Sequence, residues 1–580
     1  MFDIFYKKNN NNSLFKTLEK KEFTNITTIQ NYIPLYNNFF SITSKNYNNI
    51  NLNHKYKITD IISKSTYNIY KIGLTNDENS IQRNVFFKFS PLLDPIKYLS
   101  GKYIKNSEDS LFTLPGMSMK SHKKILDPNN SAYVDSFFSY LTSQTFHHHQ
   151  FLHGLDFYGS FLCIQQDYTL NVSEDLEYLS DNKFFNENRD KFFKLEEGAE
   201  DLFVDDGSRT NKEKIVLEEE LDLNVDTIDN SMFDNVFELT SDNLKLHDEK
   251  NELVYVSDIS LNKNSQKSET NSSESSCSSR SSNTNKESVS VKSCSEDVDD
   301  SDYSSFIDEK IDCIIDKFPV QMICLEKMEN TLDFLLGDDF IDSDASSVDT
   351  GESSLEELSD EEWRSCLFQV IMSLVAYQKM FDFTHNDLHT NNIMFNTTDK
   401  KFLFYKYKNV YYKVPTHGRI YKIIDFGRSI YRFKDKIICS DSYHPKGDAA
   451  TQYNCEPYFN ENKPRLQPNK SFDLCRLGCA LYDYFADDIE DPKVVINPIG
   501  KLIQEWCTDD KGKNILYKKN GEERYPDFKL YKMIARTVHK HTPDNQLDNP
   551  IFYKYQTTKK KIKKKPIMNI DEFPVYYNKN

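Results

Sequence analysis

Apolar and polar positions alternate over residues 57–74 around a short polar turn, the period-two pattern of a β-hairpin with one buried face. Val85-Phe86-Phe87-Lys88-Phe89 follows as a short apolar run and predicts a buried strand that carries a single lysine. The spacing turns helical over 133–142, then strand-like over 157–166 and again from Val320 onward. Ser359-Asp360-Glu361-Glu362 sets a Ser three residues before a Glu, the capping-box signature of a helix start. Behind it Trp363, Phe368, Val370, Ile371, Leu374, Val375 and Tyr377 mark a largely buried helix. Residues 402–405 and 410–414 predict a second hairpin, and 421–424 a further strand.

Composition changes this picture in the middle of the chain. From about 167 to 308 acidic stretches such as Glu218-Glu219-Glu220 alternate with short apolar pieces and end in a serine tract over 272–282. Such chain buries too little apolar surface to offset its ordering entropy. Residues 263–305 are therefore expected to be disordered, and the acidic part before them at most partly structured. Strand-like chain lies on both sides, so the stretch reads as an insertion between two strands of one sheet; loop-closure entropy grows only logarithmically with length. A second acidic insert, 338–358, precedes the capping box. The lysine-rich run over 559–565 reads as a solvated tail that balances the acidic inserts, or as a dock for anionic partners or a nuclear signal.

The net charge of −18 argues against a general nucleic-acid binder, so no nucleic-acid partner is expected. Eleven cysteines without a Cys-x-x-Cys pair, and no signal peptide at Met1-Phe2-Asp3-Ile4, fit free thiols in a reducing compartment. Cys475 and Cys479, one helical turn apart, are expected in a core. The longest apolar run, 366–377, is too short and too interrupted by Gln369 and Ser373 to span a bilayer. A soluble intracellular protein is the expectation. His147-His148-His149 are consecutive and share no helix face, so they are read as exposed side chains and not as metal ligands.

The chemistry concentrates in His385-Asn386-Asp387-Leu388-His389-Thr390-Asn391-Asn392 and in Asp425-Phe426-Gly427. A carboxylate, an amide five residues on and a second carboxylate are the groups that phosphoryl transfer from a metal-bound nucleotide needs. Each alone is more simply a cap or turn residue; two motifs in order, each beside strand-like chain, are much harder to explain that way.

Together they resemble the catalytic loop and Asp-Phe-Gly motif of eukaryotic-type serine/threonine protein kinases, the family on which the cited roles are defined. The resemblance implies an α+β, two-lobed fold that uses ATP and Mg²⁺, with Asp387 as catalytic base and Asn392 and Asp425 as metal ligands. It also implies that Lys88 clamps the nucleotide phosphates, with Asp135 standing where the family has a Glu partner. Ile62, Ser63, Ser65, Asn68 and Tyr70 fall on the phosphate-loop pattern, although Ser63, Ser65 and Asn68 replace its three glycines. Glu326 and Met328 match the interlobe hinge that offers backbone groups to adenine, and Asp473 the residue that anchors the catalytic loop. On this resemblance 1–56 is an N-terminal extension, 57–167 the first part of the small lobe, and 168–317 an insertion. Residues 318–336 are then the last small-lobe strand and hinge, 337–358 an acidic insert, 359–550 the large lobe and 551–580 a basic tail.

His389 stands where these kinases usually have Lys, and an Asp-Leu-His-x-x-Asn loop also occurs in aminoglycoside- and choline-type kinases. The 48 residues from Asp425 to Asp473 favour a protein kinase, because they leave room for an activation segment and a peptide-docking loop. Asn454-Cys455-Glu456-Pro457 falls near the place of Ala-Pro-Glu but departs from it. The pattern resembles the protein kinases of giant DNA viruses, which implies protein Ser or Thr acceptors and a host-cytoplasm or virion setting. Two other readings stay open: a pseudokinase scaffold and a small-molecule phosphotransferase. Asn386 replaces the Arg that pairs with a loop phosphate in regulated kinases, so activity is expected not to depend on phosphate at Ser440, Ser442 or Thr451. The serine tract is either a phosphoacceptor or a solvated spacer.

Overall fold

The computed structural model describes residues 1–8, 11–21, 23–76, 78–103, 108–117, 120–196, 311–336, 357–486 and 497–578. All of them belong to the unit formed by Met1–Phe203 and Ser276–Asn580. The serine tract, the 263–305 stretch and nearly all of the second acidic insert lie outside the described residues.

β1 (Tyr6–Lys8), α1 (Asn12–Leu18), β2 (Ile26–Gln30) and β3 (Ile50–Leu52) come first. The 57–74 alternation becomes β4 (Lys57–Thr66) and β5 (Ile69–Thr75). Asn68 sits in their turn at φ 58°, a left-handed geometry that Asn tolerates better than most side chains. β6 (Ser80–Pro91) pairs with β5, and after the short helices α2 (Pro95–Leu99), α3 (Glu108–Leu111) and α4 (Lys123–Leu126) the chain enters α5 (Ser131–His149). Asn130 caps α5, its side chain accepting the Ala132 N–H. The turn after α5 folds back against the helix at Gly154, where a Cβ would stand 2.4 Å from Thr142 O, so no other residue fits.

β7 (Phe157–Asn171), α6 (Leu176–Ser180), α7 (Lys183–Asn188), β8 (Phe193–Leu195) and β9 (Asp312–Glu326) complete a seven-stranded sheet. Its order is β2-β7-β9-β6-β5-β4, with β8 on β9, and its pairings are all antiparallel. Lys88 therefore lies on an interior strand. β7 and β9 run beyond the boundaries read from sequence, because Tyr168 opposite Ile315 and Leu170 opposite Cys313 continue the apolar pairing among acidic neighbours. Structured chain then continues through Leu195, inside the stretch expected to be at most partly ordered. Residues 1–56 are no mere appendage: β2 pairs with β7, and Leu18, Ile33, Leu35 and Ile50 join the main core.

The second half begins with β10 (Asn330–Thr331) and α8 (Asp360–Phe381). At the start of α8 both Ser359 N–H and Oγ–H donate to Glu362 Oε2, at 3.0 and 2.7 Å. From Trp363 to Phe381 every α8 residue except Lys379 is buried, as befits a helix surrounded by protein. β11 (Ile393–Thr397) follows, then the hairpin β12 (Phe402–Tyr407) and β13 (Val410–Pro415), β14 (Arg419–Ile423), and the hairpin β15 (Ile430–Phe433) and β16 (Lys436–Cys439). β11 lies between β10 and β14. Helices α9 (Phe472–Phe485), α10 (Pro498–Trp506), α11 (Phe528–Thr537) and α12 (Pro543–Gln546) follow, then β17 (Gln556–Thr557) and β18 (Met568–Asn569).

β17 and β18 overturn the solvated-tail expectation, since they extend the β12–β13 hairpin on its two edges. Phe552, Tyr555, Ile562, Met568, Ile570, Phe573 and Tyr576 are buried, while the six lysines of the 559–565 run stay exposed. Ile562 within the run and apolar residues on either side of it anchor the strap; composition shows the charge and hides the anchors. Tyr576 stacks on Phe2 at 4.1 Å, and its hydroxyl accepts Phe2 N–H at 2.9 Å. The same hydroxyl is 2.7 Å from His149 Nε2, and His147 Nε2 is 2.7 Å from Asp156, so of the three histidines only His148 is exposed as expected.

Asp571 fastens this strap by accepting the N–H groups of Lys408 (2.7 Å) and Asn409 (3.0 Å). Burial works against its charge, but these bonds and Lys406 outweigh it and hold the carboxyl below its ordinary 3.8. A depressed acid stabilises the fold above its unfolded value and loses that contribution as pH falls through the folded one. Asp571→Ala is thus expected to lower the melting temperature at neutral pH, with the gap to wild type narrowing as pH falls below the ordinary carboxylate range. Melting curves across that range check it.

Among the described residues no helix is long and apolar enough to cross a membrane. The nine described cysteines are free, and Cys475 lies in a core cluster.

Candidate active site

The 385–392 loop leaves α8 and is gripped by α9. Asp473 Oδ2 accepts His385 N–H at 2.9 Å and Oδ1 accepts Asn386 N–H at 2.8 Å. Burial pushes the Asp473 carboxyl up, against the pull of His385 and these two donors. Asn386 holds φ 64°; its Nδ2 donates to Thr384 O, Thr384 Oγ1 and Arg428 O, and its Oδ1 accepts Tyr453 O–H at 2.8 Å. A short amide in left-handed backbone thus knits the loop, where a longer cation would have to reach away from it.

Asp387 is buried, with Oδ1 accepting Tyr531 O–H at 3.0 Å and Oδ2 3.7 Å from Arg428 Nε. Burial alone would raise its pKa. Arg428, His389, Arg476 and His385 outweigh that and hold the carboxyl below its ordinary value. His389 is kept neutral by burial, against the pull of Asp387, and its Nε2 lies 3.0 Å from Asn392 Nδ2. Asn392 Nδ2 also donates to Asp387 O at 2.9 Å, which leaves Oδ1 as the Asn392 atom able to ligate a cation.

Lys88 joins the two halves of the site. Its Nζ lies 2.7 Å from Asp135 Oδ2 and 2.9 Å from Asp425 Oδ1. Burial disfavours the ammonium, but the two carboxylates more than compensate and raise its pKa. Asp135 is one methylene shorter than Glu and still reaches, because α5 packs close enough for its Oδ1 to accept Phe426 N–H at 2.9 Å. Asp425 itself is left-handed, at φ 60°. Phe426 is buried against Phe138, His385 and Phe383 at ring distances of 4.7, 5.8 and 6.0 Å.

The β4–β5 hairpin exposes Ile62, Ser63 and Ser65, with Asn68 half-buried in the turn. Tyr70 corrects the sequence expectation. It pairs with Val85, which puts it on the sheet face opposite Lys88; its ring stacks on Phe87 at 4.4 Å and its hydroxyl bonds Phe23 O. Alternation assigns the Lys88 face to Ile69 instead. Glu326 uses its N–H on Asp156 O at 2.9 Å and its carboxylate on Lys422, Asp156 N–H and Asn396. Among the described residues the Met328 N–H is not engaged.

Sequence reading missed Arg428, Arg476, Tyr531 and a clasp made by Asp441. Arg476 stands three residues after Asp473 on α9, a spacing that puts both on one face. Tyr531 comes from α11 and carries no local signal. Asp441 follows β16 and accepts Ser131 N–H, at the start of α5, at 3.1 Å; the half-buried Lys124 ammonium pairs with its other oxygen. Gly447 closes this turn, since a Cβ there would stand 2.2 Å from Ser442 O. The segment after Asp425 is therefore held to α5 by a fixed carboxylate.

No family model matches the chain. One stretch of 109 residues is 34% identical to a "Probable serine/threonine-protein kinase" of Dictyostelium discoideum. The stretch is 18% of this chain and 9% of that protein, so the chain spans less than a tenth of the relative's length. Over that stretch the chain is kinase-like.

Proposed function

We propose that this protein is a two-lobed serine/threonine protein kinase that transfers the γ-phosphoryl group of MgATP to protein hydroxyls. The observation that carries the reading is the convergence of residues far apart in sequence. Lys88 bridges Asp135 and Asp425, and Asp387 and Asn392 share a loop fastened by Asp473.

The donor set fits a hard divalent cation, because Asp425 and Asn392 offer a carboxylate and an amide oxygen. When bound, Mg²⁺ neutralises charge on the transferring phosphates. Lys88 supplies the fixed positive charge for those phosphates, and the exposed hairpin over 62–68 is the backbone that would cover them. Met328 offers its N–H to the base. Asp387, ionised and flanked by Arg428, orients the acceptor hydroxyl and accepts its proton. A scaffold without activity has no use for all four of Lys88, Asp387, Asn392 and Asp425.

The acceptor class is read by incubating the protein with γ-labelled ATP, Mg²⁺, generic protein acceptors, choline and an aminoglycoside. Phosphoserine or phosphothreonine in hydrolysed protein is the expected product. Label confined to a small molecule, or to phosphotyrosine, would overturn the assignment.

A further inference from the structure

Resting on the reading of Asp387 as the base, we propose that Tyr531 and Arg476 are a positioning pair that fixes the Asp387 carboxylate for the acceptor hydroxyl. Tyr531 O–H donates to Asp387 Oδ1 at 3.0 Å, and the same phenol oxygen accepts Arg476 Nε–H at 2.9 Å. A donor that itself accepts from a guanidinium is polarised and donates more strongly. The relay occupies one carboxylate oxygen. Oδ2, at 3.7 Å from Arg428 Nε and so beyond a hydrogen bond, is the oxygen that remains for substrate.

The pair stands on rigid chain. Arg476 lies on α9 three residues beyond Asp473, so α9 grips the loop backbone directly through Asp473 and reaches the loop carboxylate through Arg476 acting on Tyr531 of α11. Phe528 stacks on Tyr531 at 5.4 Å, and Asn469 Nδ2 pins the end of α11 through Ile534, Ala535 and Val538 carbonyls. Burial, with Asp387 beside it, pushes the Tyr531 hydroxyl up to about 12, so it stays a donor at neutral pH. Nothing else in the loop does this work: His389, two residues after Asp387, is turned to Asn392. At 8% exposure Tyr531 is a wall of the acceptor site and not an acceptor itself.

The test compares wild type with Tyr531→Phe, Arg476→Gln, Arg476→Lys and the Tyr531→Phe/Arg476→Gln double variant. Tyr531→Phe removes one oxygen and keeps the ring. It is expected to lower kcat by about ten- to a hundredfold with the KM for ATP and the melting temperature unchanged, the scale set by small misplacement of a reacting group. Arg476→Lys should retain more turnover than Arg476→Gln, and the double variant should be no worse than Tyr531→Phe, because the two act as one unit. Full turnover in Tyr531→Phe overturns the pair while leaving the kinase reading intact. So does a loss that tracks a fallen melting temperature and a raised ATP KM. Wild type without transfer overturns the parent reading and this one with it.

Discussion

Asp387→Ala is expected to lower protein phosphorylation by about 10³-fold while ATP binding survives, the scale of a positioned general base. On the proposed reading this carboxylate accepts the proton, and Asp387 is the one carboxylate within the 385–392 loop. ATP affinity should hold because removing Asp387 leaves Arg428 and Arg476 less neutralised, which favours phosphate. Asp387→Asn separates the two tasks of the side chain. It keeps an oxygen for Tyr531 but cannot take a proton, so it should be nearly as inactive as the Ala variant. Steady-state kinetics beside a nucleotide-binding titration read both effects. Turnover in Asp387→Asn near that of wild type would remove the base role.

Lys88→Met is expected to abolish transfer and to destabilise the fold by about 3–5 kcal/mol, as when one partner of a buried ion pair is removed. Its side chain is 9% exposed and bridges two carboxylates, so the change removes the cation they share. Asp135 and Asp425 would then repel across the space that Lys88 fills, and α5 would lose its tie to Asp425 while keeping the Phe426 N–H. A lysine that only decorated the sheet would cost far less. Denaturant unfolding of the variant measures the loss, and a midpoint equal to wild type would show that the bridge contributes nothing.

Periodicity made the sheet and α8 legible, because each strand or helix buries one side or all sides of its own chain. The β4–β5 hairpin, the Lys88 strand and the capping box at Ser359 could be read for that reason. The chemistry at Asp387, Asn392 and Asp425 was legible because it is local: the loop sets two of the groups five residues apart and the turn sets the third. Register was not. Phosphate-loop spacing assigns Tyr70 to the nucleotide, but pairing with Val85 turns it to the other face, and one residue of slip changes the side of every side chain.

Contacts made across long sequence separations left no trace in the chain. Tyr531 meets Asp387 from 144 residues away, and Lys124 meets Asp441 from 317. Arg476 was within reach of a helical-wheel argument once Asp473 had been placed. The strap over 551–578 was misread because its charge is contiguous and its apolar anchors are spread out. His147 and His149 were misread because consecutive residues can each find a separate partner on different elements, here Asp156 and Tyr576.

The most direct test of the central claim is transfer of label from γ-labelled ATP to protein by wild type and Asp387→Ala, on preparations whose ATP affinity has been measured. Phosphoprotein is expected with wild type, almost none with the variant, and similar ATP affinity in both. Equal labelling by the two proteins, or ATP binding without transfer by either, would contradict it.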